Sequence, residues 1–438
     1  MSDSRKPSRI TAWLEAAHPA VFVLYAVVAS FSTYFCMYAF RRPFTVGLYE
    51  GDSLGSIKLL TIFNISQLVG YALSKFIGVK VCSEVTRDRR AGLLVALILW
   101  AEAALVLLAL MPPAFGAIAM FLNGLPLGMI WGLVVWYLEG RRTSELLLAG
   151  LSCSFIVSSA AVKDVGRHLM AAYQVSEWWM PAATGLCFLP LFFLSVWFLN
   201  QIPHPDAADV EARVRREPMG ALDRRSFVRT FLPGLVLLLL VYFFLTAYRD
   251  FRDTYQFDIV RSLGYSADKA SLTKTETLVA FGVLVPLACL VLVKDNRRGL
   301  MGSYAIMVAG VALLGLSTIL FEAGGIDGFW WMTLVGLGCY LAYVPYGSVF
   351  FDRLIASTRF GGTAVFAIYM ADAIGYTGSI GVQLYKDFAR KDLSRLEFFR
   401  GFTYFMSALG VALLVASGPY FLRRRGPEGT KSQHDSIA

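Results

Sequence analysis

The sequence predicts an all-α membrane protein of twelve transmembrane helices, arranged as two six-helix bundles related by pseudo-two-fold symmetry. Three observations point there. Of 438 residues, 57% are hydrophobic, 14% aromatic and only 16% charged, with a mean hydropathy of +0.58, outside the range of soluble domains. The apolar residues gather into twelve runs, most of them near the roughly 20 residues needed to cross a hydrocarbon core about 30 Å thick. A block in the first run, Tyr34-Phe35-Cys36-Met37-Tyr38-Ala39-Phe40-Arg41, returns 208 positions later as Tyr242-Phe243-Phe244-Leu245-Thr246-Ala247-Tyr248-Arg249. The pairs Arg89-Arg90 and Arg297-Arg298 keep the same offset, so the chain reads as a duplication of six runs.

The runs fall at about 20–47, 55–79, 91–111, 115–138, 145–170, 179–200, 230–250, 270–293, 300–321, 328–351, 362–386 and 399–422. Lipid offers the backbone no hydrogen-bond partner, so only helices or closed barrels span it, and these continuous runs lack the alternation of barrel strands. Run one is too long for a signal-peptide core and has no small-residue cleavage site after it, so it is expected to remain as the first helix. Basic residues mark one face: Arg5, Lys6 and Arg9, then Lys80, Arg87, Arg89 and Arg90, then Arg141 and Arg142, then Lys294, Arg297 and Arg298, and Arg423 to Arg425. That face reads as cytoplasmic, which puts both termini inside and suits a cell (inner) membrane. The turns 50–54, 112–114, 171–178 and 322–327 have no Lys or Arg, although 251–269 and 387–398 carry some. Run four holds Gly124, Gly128 and Gly132, a small-xxx-small spacing that lets helices approach closely. The polar stretch 201–229, with His204, Asp206, Asp209, Glu211, Arg213, Arg215 and Arg224, reads as a cytoplasmic linker. It separates an N-terminal bundle, 1–200, from a C-terminal bundle and cytoplasmic tail, 230–438.

The net charge of +9 follows from this topology and from contact with anionic lipid headgroups; no aromatic-interleaved basic surface suggests nucleic acid. Cys36, Cys153, Cys187, Cys289 and Cys339 lie within runs and Cys82 at a cytoplasmic edge, with no CxxC or His/Cys cluster, so free thiols are expected and no metal or cofactor. His18, His168, His204 and His434 sit at ends, loops or tails, and neither a Ser/His/Asp set nor a P-loop occurs, so an enzyme is not expected.

Charges inside the runs form the functional shortlist, because each costs about 2.5–3.5 kcal/mol to insert at mid-membrane and therefore faces a partner or a wet cavity. Arg41 and Arg249 lead it. Each has a tyrosine seven residues earlier, Tyr34 and Tyr242, which two helical turns bring to the same face, and Tyr38 lies between in the first copy. In a two-fold arrangement the pairs would converge. Guanidinium offers a planar fork of donors matched to phosphate or carboxylate oxygens, and stays charged when buried. The alternative is that each arginine snorkels to headgroups or closes an outer gate with Asp250 or Asp253. Run two carries Asn64, Gln67, Tyr71 and Lys75 as one polar stripe, lining a path or cross-linking neighbouring helices. Run eleven repeats the pattern with Tyr369, Asp372, Tyr376 and Gln383; Asp372 either binds a proton or serves as a permanent counter-ion. Lys163, Asp164 and Arg167 lie in the outer third of run five, a place for gating or a salt bridge. Lys58, Lys274 and Glu276 lie at outer helix ends near water.

These residues carry a family resemblance that spans most of the chain. It resembles the major facilitator superfamily and, within it, the organophosphate:phosphate antiporters typified by the bacterial glycerol-3-phosphate transporter. Phe40-Arg41-Arg42-Pro43-Phe44 is similar to that family's arginine-bearing block in helix one, and Gly70-Tyr71-Ala72-Leu73-Ser74-Lys75-Phe76-Ile77 to its helix-two block. Tyr248-Arg249 with Asp253 resembles the helix-seven arginine region, and Gly362-Thr363-Ala364 with Gly375-Tyr376 and Gly378 resembles helix eleven. The resemblance implies that Arg41 and Arg249 clamp a substrate phosphate and that the halves rock in alternating access. The chain differs at Pro43, Phe155, Ser158-Ser159-Ala160-Ala161 and Lys163-Asp164. The expected function is secondary transport of a small anionic organic solute, an organophosphate or similar, by exchange with phosphate or coupled to protons, in a protein acting as a monomer. A transporter-like receptor signalling through 201–229 or the tail, and efflux of amphiphilic compounds, stand as alternatives.

Overall fold

The computed structural model describes residues 8–47, 49, 53–54, 57–141, 143–205, 209, 221–265, 272–358 and 364–423. A short helix, α1 (Arg9–Ala16), begins at Ser8, whose hydroxyl accepts from the Thr11 amide at 3.1 Å. The first repeat follows as α2 (Pro19–Met37), α3 (Leu59–Glu84), α4 (Arg87–Leu110), α5 (Gly116–Val135), α6 (Ser144–Tyr173) and α7 (Met180–Leu199). The second contains α8 (Ala221–Ser262), α9 (Leu272–Val291), α10 (Asn296–Glu322), α11 (Gly328–Pro345), α12 (Phe351–Thr358), α13 (Ala364–Ala389) and α14 (Arg395–Arg423). A two-residue hairpin, β1 (Ser53–Leu54) with β2 (Ile57–Lys58), precedes α3. Eleven spans among the described residues are long and apolar enough to cross a membrane, the tenth running from α11 through α12. The 26-residue α13, which carries the run-eleven polar stripe, is not among them.

Three boundaries depart from the sequence expectation, each for a local reason. Run one, expected to be helical to residue 47, stops as an α-helix at Met37, tightens to a 3₁₀ turn over Tyr38–Phe40, and resumes as a second 3₁₀ turn over Pro43–Val46. Pro43 has no amide to donate to the Ala39 carbonyl and its ring crowds the preceding turn. Run seven, expected to end at 250, continues as α8 to Ser262 and begins at Ala221, inside the stretch read as linker. Its charged last turns stay helical because their side chains find buried partners, described below. Run ten, expected as one helix to 351, is divided: α11 ends at Pro345 and a π-helical segment, Tyr346–Phe350, leads into α12. Pro345 has no amide to donate to the Leu341 carbonyl, so the α-helical ladder loses a bond where the π-helical segment takes over.

The chain divides into two compact units. The first comprises Met1–Arg213, Phe251–Ala280 and Val382–Leu396; the second comprises Val214–Asp250, Phe281–Gly381 and Glu397–Ala438. In the first, α3 packs on α5, α4 on α5, and α2 on α6 and α7. The α3–α5 approach is close because glycines allow it: a Cβ at Gly124 would meet the Gln67 carbonyl oxygen at 2.2 Å, and one at Gly128 the Tyr71 carbonyl oxygen at 2.5 Å. In the second unit α10 packs on α11 and α12.

Candidate functional site

The broken end of helix one frees carbonyl groups of the buried residues Phe40 to Arg42, where each needs a partner. Gln67 of α3 donates its amide to the Arg41 carbonyl at 3.0 Å and to the Asn123 side-chain oxygen at 2.7 Å. Asn123 of α5 in turn donates to the Phe40 carbonyl at 3.0 Å and the Ala101 carbonyl at 2.9 Å. Thr45 closes the Arg42 carbonyl with its hydroxyl at 2.8 Å and its amide at 3.0 Å. The break is thus a built feature that holds Arg41 in the turn between two 3₁₀ segments, while Arg249, its partner in the repeat, lies on uninterrupted α8. The residue 208 positions after Pro43 is Phe251, so nothing breaks the second copy.

Arg41 is 2% exposed. Its guanidinium carbon sits 4.0 Å from the Tyr71 ring centroid and 5.7 Å from that of Tyr38. Lys75 approaches the same Tyr71 ring at 5.5 Å. Tyr34 stands edge-on to Tyr38, with centroids 5.7 Å apart, and to Trp131 at 4.9 Å. Five of the residues expected on this side, Arg41, Tyr34, Tyr38, Tyr71 and Lys75, therefore form one aromatic and cationic cluster. Gln67, the sixth, has its amide nitrogen committed to the break.

The second unit holds a matching cluster. The Arg249 guanidinium carbon lies 4.5 Å from the Tyr343 ring centroid. Tyr343 stacks on Tyr242, centroids 5.3 Å apart, and the two hydroxyls are 3.1 Å apart. Tyr242 donates to Asp372 at 2.6 Å. A Cβ at Gly375 would press on Thr246 at 2.6 Å and on the Tyr242 ring at 3.0 Å, so α13 must present glycine to seat that ring. Asp372, Tyr242 and Arg249 are thereby brought together. Tyr376 is buried nearby in sequence on α13, and the side chain of Tyr369 lies outside the described residues.

A third group of polar residues, all within the first unit, runs through α3, α6, the end of α8, α9 and the start of the 382–396 segment. Asp253 takes the Arg42 Nε at 2.8 Å and the Lys163 ammonium at 2.8 Å, and also accepts from Ser159. Lys163 reaches the Gln256 side-chain oxygen at 3.4 Å; Gln256 donates to Glu276 at 2.8 Å, and Arg252 pairs with Glu276 at 2.6 Å. On the other side Arg42 donates to Asn64 at 3.4 Å, and Asn64 to Gln383 at 2.9 Å. The sequence offered Asp250 or Asp253 as an outer-gate partner for each of Arg41 and Arg249; the arginine seen on Asp253 is Arg42, which the sequence did not single out. Glu276, expected near water, is 2% exposed and engaged in this chain. Asp164 accepts from the Thr273 amide at 2.9 Å and hydroxyl at 2.6 Å, and pairs with Arg167 at 3.2 Å, so it caps the N-terminus of α9.

Sequence reasoning missed Asn123, Trp131, Arg252, Tyr343 and Glu102, and named Ser159 only as a departure from the family's pattern. Asn123 is the one amide in a glycine-rich apolar run, and Glu102 the one carboxyl deep in run three; both are visible as isolated polar residues. The others give no periodic signal.

These clusters are carried by a multi-pass membrane protein with the major facilitator superfamily fold. The structure of the proton:xylose symporter XylE of that superfamily, bound to 6-bromo-6-deoxy-D-glucose, aligns at a TM-score of 0.57 and 14% identity, covering 91% of this chain and 95% of that one. A peptide transporter, POT, in complex with alafosfalin aligns at 0.59 and 15%, covering 96% and 99%. The nucleoside transporter NupG aligns at 0.55 and 12%, covering 90% and 98%. No curated protein matches the sequence. The chain belongs to a family of unknown function, DUF5690, whose model matches residues 43–424.

Proposed function

We propose that the protein is a secondary transporter of a small anionic organic solute, an organophosphate or similar, working by alternating access, with Arg41 and Arg249 binding the solute's negative charge. The observation that carries the reading is that both copies of the duplicated block bury a guanidinium against a tyrosine face, Arg41 on Tyr71 and Arg249 on Tyr343. Buried ions in spanning helices mark solute or ion pathways by default, and arginine suits oxyanions. Tyr34, Tyr38, Tyr242, Lys75 and Tyr376 complete the proposed binding set, with Gln67 positioning Arg41. The Asp253–Lys163–Arg42 group acts as an outer gate and Asp372 as counter-ion or coupling carboxyl. The fold supports the class, since its structural neighbours include a symporter of another solute.

The test is a thermal-shift comparison of glycerol 3-phosphate, inorganic phosphate, a neutral sugar and an organic cation on purified protein. Phosphate esters should stabilise the wild type and lose that effect in Arg249→Ala and Arg41→Ala. Equal stabilisation by neutral or cationic compounds, unchanged in both variants, would defeat the reading. Anion binding without flux in proteoliposomes would favour a receptor.

A further inference from the structure

Glu102 sits at the middle of α4, 6% exposed, and neither of its carboxyl oxygens has a hydrogen-bond partner among the described residues. The elements packed around it supply no charge to balance it. Those elements are α5, α7 and the 3₁₀ turn Tyr38–Phe40. Neither α5 nor α7 contains Asp, Glu, Lys, Arg or His, and the titratable groups they and the turn supply are Tyr38 and the exposed Cys187. On α4 itself the other charges, Arg87, Asp88, Arg89 and Arg90, lie at its first turn, three helical turns or more away. The fold nevertheless reserves room for this carboxyl. A Cβ at Gly185 of α7 would fall 2.1 Å from Glu102 Oε2 and 3.1 Å from the Phe40 ring, so glycine there lets the acid and Phe40 share one pocket.

An ionised carboxylate in such a place, with neither donor nor cation, is strongly disfavoured against its neutral form. The same pocket touches the break in helix one. Asn123 bridges the Phe40 carbonyl to the carbonyl of Ala101, the residue before Glu102, and Gln67 links Asn123 to the Arg41 carbonyl. Any displacement of the Phe40–Arg42 segment therefore alters the cover over the acid, and the first cation along the chain from that cover is Arg41.

We propose that Glu102 is a proton-binding site coupled to the helix-one break: it holds a proton in the arrangement described here and releases it when the Phe40–Arg42 segment moves. The inference rests on the transporter reading and names its coupling ion. The proton moves between the Glu102 carboxyl and water admitted by the displaced segment; no other bond changes. Because the neutral acid favours the described arrangement, that preference is present at low pH and is lost as pH rises through the acid's own titration.

Two measurements on the full chain test this without any solute. In infrared difference spectra near neutral pH, wild type minus Glu102→Gln should show the carbonyl stretch of a protonated carboxylic acid; a carboxylate band in its place overturns the proposal. Opening of the outer network is read from labelling of Thr61→Cys, a buried position bonded to Tyr255, by an impermeant maleimide in a background lacking the native cysteines. The labelling rate, divided at each pH by that of a free cysteine peptide to remove the thiol's own ionisation, should climb about tenfold per pH unit through the titration, stay low and flat in Glu102→Gln, and begin to climb at a shifted pH in Gly185→Ala, which crowds the acid without removing it. The same pH profile in all three proteins overturns the proposal. Failure of phosphate esters to bind, with both these results intact, would sink the solute assignment alone; normal anion binding with a flat wild-type profile would sink the proton site alone.

Discussion

Asp253 shows at the scale of one side chain why charge survives inside this protein. It is buried between two cations, Arg42 and Lys163, with Ser159 donating as well. Removing one partner from a buried ion group costs about 3–5 kcal/mol, because the charge left behind is neither hydrated nor paired. Asp253→Asn leaves two such cations, so the thermal midpoint of the detergent-solubilised protein should fall clearly. Adding Lys163→Met to that variant removes one orphaned charge and should recover part of the loss. A single variant that melts at or above the wild type would show that Asp253 is not the anchor of this group. Asp164, one residue from Lys163, serves differently, satisfying orphan amides at the start of α9, which sequence position alone could not separate from gating.

Among the elements, the break of helix one and its absence in α8 are the clearest divergence between the two repeats. The duplicated block keeps its tyrosine, phenylalanine, alanine and arginine in both copies, yet Pro43 stops one copy and Phe251 continues the other. The break is legible from proline chemistry, whereas its repair is not: Gln67 and Asn123 come from 26 and 83 positions away along the chain. Gln67 is visible as part of the polar stripe with Tyr71 and Lys75, but a stripe gives the direction of a side chain and not its partner. Gln67→Leu removes the donor to the Arg41 carbonyl and strands the Asn123 oxygen, a cost of about 1–3 kcal/mol for each buried group left unsatisfied. It should lower the melting temperature and also weaken anion-induced stabilisation by loosening the backbone of Arg41. Gly92→Ala, a helix position with open space around it, should change neither. If Gln67→Leu destabilises the protein with the anion response intact, Gln67 supports the helix only and does not position Arg41.

For the molecule as a whole, composition and run length were enough for the all-α membrane class, and the 208-residue offset for the six-plus-six plan, because lipid allows so few backbone solutions. What remained hidden was long-range: the charges at 251–269 follow an apolar run expected to end at 250 and, Asp253 apart, entered the sequence reading only as basic residues on the outer side. In the folded chain 251–262 remain helical and largely buried, and their contact unit joins 251–280 and 382–396 to the first repeat. Asn64 of the first repeat meets Gln383 of the second across 319 positions of sequence. If the protein transports, that contact has to part in every cycle, since a seal made of residues from both repeats cannot stay closed while a solute passes. A reversible tether tests this. In Asn64→Cys/Gln383→Cys, bridging with a short bifunctional thiosulfonate should abolish counterflow of labelled phosphate ester in proteoliposomes, and a reductant should restore it. Each single-cysteine variant treated alike should keep its flux, which separates tethering from mere modification of the site. Full cross-linking with undiminished flux would mean that these residues hold a static part of the bundle, and the gate would then have to be sought elsewhere.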